Sequence, residues 1–132
     1  MGRVYCIGVF DMLHIGHINL LERAKAKGNH LTVGLVTDTA VQEFKGKNRP
    51  IVPQSERMQL LKALRCVDSV VLVDDFVIGD WAIDNHDFIV LGADQYHIKR
   101  QEAVPKEKIV ILSRTEGVST TDVIKKIKED SC

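Results

Sequence analysis

The chain has 132 residues, 45% of them hydrophobic, and its 18 Lys and Arg balance its 18 Asp and Glu. That length suits one domain, 1–132, around one core, and the composition is that of a folded globular protein. A formal net charge of zero argues against a general nucleic-acid or acidic-membrane binder, so an anionic ligand must be met by local clusters of positive charge.

Cys6, Cys66 and Cys132 are odd in number and scattered, with no C-x-x-C pair. They read as reduced thiols, not as a disulfide framework or a zinc site. No signal peptide or membrane-length apolar run is visible, which makes the cytoplasm the expected compartment.

The first apolar run, Val4–Val9, reads as a buried strand, and Ile18, Leu20, Leu21 and Ala24 read as one face of a helix that stops at Gly28. Between them lies Gly8-Val9-Phe10-Asp11-Met12-Leu13-His14-Ile15-Gly16-His17. The junction of a strand and a following helix is where α/β proteins bind phosphates, because helix-start N–H groups face outward with partial positive charge. Gly16 lets an anion approach the backbone. His14 and His17 can donate to the same anion and stabilise charge that builds on it. Each histidine alone could be an ordinary surface or capping residue. The ordered series of strand, turn, H-x-G-H and helix, with Asp11 just upstream, favours function.

Leu31–Val36 is the second predicted strand, followed by a short helical stretch, Thr39–Phe44. The loop Glu43–Pro53 contains Gly46, Asn48, Pro50 and Pro53 with the cations Lys45, Lys47 and Arg49. A solvated basic loop is one reading. A mobile lid over a polyphosphate or an incoming phosphate is the other, since the loop leaves the carboxyl end of strand two. Arg57 follows on a helix predicted over Ser55–Arg65, with Met58, Leu61 and Leu64 on one face.

Further strands are expected at Ser69–Val73, Phe88–Leu91 and Ile109–Leu112. All are short, apolar and rich in Val and Ile, as in parallel sheets covered on both faces. Alternating strands and helices imply right-handed crossovers and an α/β fold: a Rossmann-like, doubly wound, five-stranded parallel sheet. Its ligand crevice lies at the carboxyl ends of the strands, where the strand order reverses. After strand five comes Ser113-Arg114-Thr115-Glu116-Gly117-Val118-Ser119-Thr120-Thr121. It opens a last helix at Ser119, with Asp122 in a capping-box position and Val123, Ile124 and Ile127 as the apolar face. A cap alone does not require Arg114, Thr120 and Thr121, so this stretch reads as a second set of anion donors opposite the first.

Three stretches together resemble the small cytidylyltransferases of the H-x-G-H nucleotidyltransferase superfamily. They are G-V-F-D-M-L-H-I-G-H-I-N-L-L-E-R-A-K, the E-R-x-x-L-L-x-x-L-R-x-V-D pattern at Glu56–Asp68, and R-T-E-G-V-S-T-T at Arg114–Thr121. The resemblance is strongest to glycerol-3-phosphate cytidylyltransferases. Class I aminoacyl-tRNA synthetases also carry H-I-G-H, but this chain has no K-M-S-K-S-like loop and no room for a tRNA-binding domain.

The resemblance implies CTP and Mg²⁺, the ion held mainly by triphosphate oxygens, together with a small phosphorylated acceptor and a homodimer. It implies that Val9, Phe10 and Gly16 line the nucleotide pocket. His14 and His17 would contact the triphosphate, with His17 the main stabiliser at the α-phosphate. Lys45 would meet the acceptor phosphate, and Lys47 the nucleotide phosphates. Asp11 and Asp94 match acidic positions near the nucleotide. Arg114, Thr115, Gly117, Ser119 and Thr120 would hold it from the far side. His14, His17, Lys45 and Arg114 form the implied catalytic set. Attack on the α-phosphorus would be direct and in line, with no protein nucleophile.

The chain departs from that pattern in one region. Between Val67 and Ile98 there is no Lys or Arg, where the glycerol-phosphate enzymes carry an acceptor lysine. The stretch Asp74-Asp75-Phe76-Val77-Ile78-Gly79-Asp80-Trp81 is acidic and aromatic instead. Trp81 with Asp74, Asp75 or Asp80 could hold the ammonium of phosphoethanolamine or phosphocholine, or Trp81 could anchor a short helix to the core. Lys45, Arg57 and Trp81 are the acceptor-site candidates. The Gly46–Pro53 loop is similar to that of sugar-phosphate adenylyltransferases, and Gly92-Ala93-Asp94-Gln95 to archaeal flavin-nucleotide adenylyltransferases. ATP-dependent transfer to a sugar phosphate or FMN is therefore the runner-up. A non-catalytic nucleotide-binding regulatory module is the alternative of another class, and the intact His14, His17, Lys45, Lys47 and Arg114 weigh against it.

Overall fold

Alternate residues of the first strand serve opposite sides of the molecule. In β1 (Arg3–Gly8), Val4 and Cys6 belong to one apolar cluster, Tyr5 and Ile7 to another. This is the period-two signature of a strand covered on both faces. Four strands join it in parallel: β2 (His30–Val36), β3 (Ser69–Val73), β4 (Phe88–Gly92) and β5 (Ile109–Leu112). Their order is β3-β2-β1-β4-β5, the doubly wound sheet expected from the alternation of apolar runs. The structure is a computed structural model that describes residues 2–113 with Ile124, Lys126 and Ile127.

Helices α1 (Ile15–Lys25) and α3 (Gln54–Lys62) cover one face through Leu21, Ala24 and Leu61. Helices α2 (Asp38–Lys45) and α4 (Asp80–Asn85) cover the other through Ala40, Val41, Ala82 and Ile83. Fully burying a side chain such as Leu21 or Leu61 stabilises the fold by about 2 kcal/mol. The β2–β3 connection thus holds a helix on each face. The extra one, α2, carries Lys45 at its last position. Cys6 is fully buried in this core, and burial pushes its thiol up to about 12, so it is chemically quiet.

The five strands lie within one residue of their predicted limits. The helix expected over Ser55–Arg65 is shorter. It stops at Lys62 because the chain must turn there to enter β3, through bonds from Leu64 N to Leu61 O and Val67 N to Leu64 O. No signal anticipated the 3₁₀ turn Gln101–Ala103 between β4 and β5. Of the helix expected from Ser119, the described residues Ile124, Lys126 and Ile127 are helical. No helix among the described residues is long and apolar enough to cross a membrane.

The order of strands reverses at β1, between β2 and β4. The ladder between β1 and β4 runs only from Val4↔Phe88 to Tyr5↔Ile89. Beyond it the amide of Gln95 bridges the two strands: Nε2 donates to Ile7 O (2.9 Å) and Oε1 accepts from Gly92 N (2.8 Å). One side chain therefore stands in for the missing backbone pairing at the mouth of the crevice.

Candidate active site

The turn from β1 into α1 is unusual backbone. Phe10 (φ 52°) and Met12 (φ 51°) both sit in the left-handed region, which costs on the order of 1 kcal/mol for a residue with a side chain. The Phe10 ring is buried, and a Cβ on Gly8 would come within 2.9 Å of it. Gly8 is what allows the ring to fold back there.

His14 caps α1. Its Nδ1 accepts from Gly16 N (3.1 Å), while His17 Nδ1 accepts from His14 N (3.2 Å). The two imidazoles stack with centroids 3.8 Å apart. The histidines therefore form a capping box of the kind Ser and Glu usually make. An accepting Nδ1 carries no proton, so in the neutral ring the proton sits on Nε2. Burial, then His14 and Lys45, push His17 down to about 3. At neutral pH it is an uncharged hydrogen-bond donor and not a proton-transfer group. Capping and anion binding are thus not competing readings: the cap fixes the tautomer that an anion needs.

Asp11 holds the basic loop. It is buried, and its carboxylate accepts from Ile51 N (2.7 Å) and Val52 N (2.8 Å), with Arg49 Nε at 3.9 Å. These bonds moor the loop to the β1–α1 turn.

Arg57 is a correction. It was expected to meet the acceptor, but its side chain is wholly enclosed. The guanidinium donates to Val52 O (2.9 Å), Val9 O (2.8 Å), Val36 O (2.9 Å) and Asp38 Oδ1 (2.6 Å). Those acceptors lie after β1, at the end of β2, at the start of α2 and just before α3. Arg57 is a hub that holds the floor of the crevice, and it also occupies the Val9 carbonyl.

Lys45, Lys47 and Arg49 lie where the loop reading put them, with Lys45 ending α2 and Gly46 (φ 101°) turning the chain. Partial burial, then Arg49, lowers the Lys45 ammonium below the ordinary lysine range, while Asp11 and Asp94 pull the other way. Lys45 is thus within electrostatic reach of His17 from α1 and Asp94 from the end of β4. Lys47 is exposed on the loop beyond. His14 and His17 at the start of α1, Lys45 at the end of α2 and Asp94 after β4 are electrostatic neighbours. Gly16 donates its N–H to His14, so that amide belongs to the cap.

Trp81 fits the anchoring one of the two readings the sequence offered. Its ring meets Tyr5 (6.0 Å) and His86 (5.3 Å), and His86 precedes β4 at the opposite end of the sheet. Asp80 is bonded to Arg100 Nη2 at 2.7 Å. Asp80 is thus engaged with Arg100, and Trp81, 52% exposed, anchors α4 against Tyr5 and His86. Arg114, Thr115, Gly117, Ser119 and Thr120 lie outside the described residues. Sequence reasoning missed Gln95 as the strap between β1 and β4, because nothing in its tetrapeptide indicates which carbonyl it reaches.

Comparison with known proteins gives the family and the fold. Residues 5–126 match a family model described as cytidylyltransferase-like. The chain is 40% identical over 126 residues to the bifunctional protein HldE of Campylobacter fetus subsp. fetus, covering 95% of this chain and 28% of that protein. It is 38% identical over 138 residues to the ethanolamine-phosphate cytidylyltransferase of Arabidopsis thaliana, covering 92% and 31%. It thus spans about a third or less of the length of these curated relatives. Among solved structures it is similar to the lipopolysaccharide core biosynthesis protein from Thermoplasma volcanium GSS1, with 31% identity and a TM-score of 0.70 over 86% of this chain and 98% of that one. A protein from Archaeoglobus fulgidus, 21% identical with a TM-score of 0.57 over 89% and 93%, shares the fold. With a five-stranded parallel sheet, a histidine-capped first helix at its switch point and a family match over nearly its whole length, the chain belongs to the cytidylyltransferase-like family of nucleotidyltransferases.

Proposed function

We propose that the protein transfers CMP from CTP to a small phosphorylated alcohol and releases pyrophosphate. The observation that carries this reading is the stacked His14–His17 cap, with both Nδ1 atoms accepting from the backbone and Lys45 in electrostatic contact. In this reading an oxygen of the acceptor phosphate attacks the α-phosphorus as the bond to pyrophosphate breaks. The attacking group is already an anion, so no general base is needed. What the protein supplies is juxtaposition of two anions and donors for the charge on the five-coordinate phosphorus. His17 is the neutral donor at that phosphorus, His14 stacks behind it, Lys45 meets the acceptor and Lys47 the nucleotide phosphates. Arg114, Thr115, Ser119 and Thr120 are assigned to the nucleotide by resemblance alone. Mg²⁺ is assigned by resemblance to the triphosphate, whose charge it would neutralise there. A cytoplasmic homodimer is part of the same proposal.

The phosphorylated alcohol is read as glycerol-3-phosphate or phosphoethanolamine. The similarity to the Arabidopsis thaliana ethanolamine-phosphate enzyme supports the second, whereas the Asp80–Arg100 pair removes one carboxylate from ammonium binding. The likeness of the Gly46–Pro53 loop to that of sugar-phosphate adenylyltransferases favours a second reading, ATP-dependent transfer to a sugar phosphate. The test is pyrophosphate release with Mg²⁺ and CTP or ATP against glycerol-3-phosphate, phosphoethanolamine, phosphocholine, heptose-1-phosphate and FMN. Turnover with CTP and a phosphorylated alcohol is the expected result. Turnover with ATP alone overturns the cytidine reading, and nucleotide binding without turnover on any acceptor favours the regulatory module.

A further inference from the structure

Phe44 sits one residue before Lys45 in the last turn of α2 and is 54% exposed. A large ring left this open at a helix end is normally free to change rotamer. This one is held from the far side of the crevice. Its centroid lies 4.8 Å from that of Phe76, which follows β3, and 5.3 Å from that of His97, which follows β4, with the Phe44 and His97 planes 22° apart. Phe76 and His97 close the triangle at 5.5 Å, and Phe76 itself is rooted in the core. These distances are those of favourable aromatic pairs. The triangle spans the carboxyl end of the sheet and ties the end of α2 to the loop that carries Asp94.

We propose that Phe44, Phe76 and His97 form an aromatic clasp that fixes Lys45 at the crevice mouth and so sets the affinity for the acceptor phosphate. The inference rests on the reading of Lys45 as the acceptor's partner. Without the clasp, α2 is held at its start by the bonds of Asp38 to Arg57 and Gln54 and then through Ala40 and Val41, all at least one turn before Lys45, and Lys45 precedes Gly46, a position where a Cβ would meet nothing. The last turn is then free to fray. The mooring of Asp11 to Ile51 and Val52 restrains the far end of the loop and not Lys45. Lys45 also lies within electrostatic reach of both His97 and Asp94, so the clasp and the ammonium share one neighbourhood. Phe44, Phe76 and His97 are positioning residues, acting on the acceptor through Lys45.

The test uses the full chain with Mg²⁺, CTP and whichever of phosphoethanolamine, glycerol-3-phosphate or heptose-1-phosphate turns over, together with hydrogen exchange of amides 42–49 without ligand. Phe44→Ala and His97→Ala are expected to raise KM for the acceptor roughly tenfold. KM for CTP should stay within about twofold. Exchange at 42–49 should quicken, and Phe44→Tyr and His97→Phe should restore both readouts, since they keep the rings. An unchanged acceptor KM, an equal rise in both KM values, or failure of the aromatic replacements to rescue overturns the clasp. If the wild-type chain turns over with none of these acceptors, the proposed function fails instead. Exchange then decides alone: faster amides in Phe44→Ala uphold the clasp, and unchanged amides sink it.

Discussion

His17 accepts a hydrogen bond from the backbone of His14 and stacks on its ring, 3.8 Å between centroids. The cap and the proposed phosphate donor are therefore one object. His17→Asn separates the two roles, because an Asn oxygen at the third helical position can still accept from His14 N but the side chain has no atom at the place of Nε2. Stability is expected to change by under about 1 kcal/mol, the scale of one cap. The rate constant kcat is expected to fall by about a hundredfold or more, the scale of one lost transition-state donor. Urea melts beside single-turnover rates decide it. A variant that keeps a rate within a few-fold of wild type would remove His17 from the chemistry.

The same residue imposes a pH dependence on folding. Its ordinary value is 6.5, and in the folded chain it lies near 3. The unfolded chain takes up this proton first on acidification. His17's contribution is therefore fully present above about pH 6.5 and is lost progressively as pH falls toward 3. The slope from this group approaches about 1.4 kcal/mol per pH unit. Burial lowers His86 and His97 as well, so the clean measurement is the difference between wild type and His17→Asn in urea melts from pH 7 to 4. The wild type should lose stability faster than the variant. Parallel curves would show that His17 titrates normally.

Arg57→Lys tests the hub. A lysine ammonium cannot reach three carbonyls and the Asp38 carboxylate from one enclosed position. Val9 O, Val36 O and Val52 O would then lose their donor. A loss of about 3 kcal/mol is expected, large beside the stability of a typical small domain. Asp38→Asn should cost less, since the Asp38 side chain is 33% exposed and water can replace part of the pair. Equal stability of Arg57→Lys and wild type in urea would show that the hub carries no stability.

What the sequence made legible follows from what local pattern can carry. The strands were readable because continuous Val, Ile and Leu runs occur at covered parallel positions, and their alternation with helices implied the switch point where the histidines lie. The histidine cap was readable in place, though not in its bonding, because H-x-G-H puts the third helical residue three beyond the cap. The buried partners of Arg57 and Asp11 were not legible, for one common reason. Each is a polar residue near a motif, and its partner lies elsewhere in the chain: Val9, 48 positions from Arg57, and Val52, 41 positions from Asp11. Burial of a charge is set by such distant partners, which spacing does not encode. Gln95 escaped for the same reason, its partner Ile7 lying 88 positions away.

Asp11 offers the last test, because its mooring can be cut with almost no change in size. In Asp11→Asn one oxygen can still accept from Ile51 N or Val52 N, but the amide nitrogen must face the other N–H, donor against donor. That leaves one buried amide unmatched, at a cost of about 1–3 kcal/mol. The strain falls on the loop, since β1 and α1 are locked by the sheet and the histidine cap while these two bonds moor the loop to the turn between them. Its opening should therefore become roughly tenfold more frequent, with the core little affected. Trypsin reads this directly. Lys45 and Lys47 precede Gly46 and Asn48 and can be cut, whereas Arg49 precedes Pro50 and is protected. Cleavage after Lys47 should accelerate in Asp11→Asn while cleavage after Lys45, held by the aromatic clasp, changes less and the urea midpoint moves only modestly. Equal cleavage of variant and wild type would mean that the basic loop is held by something other than Asp11.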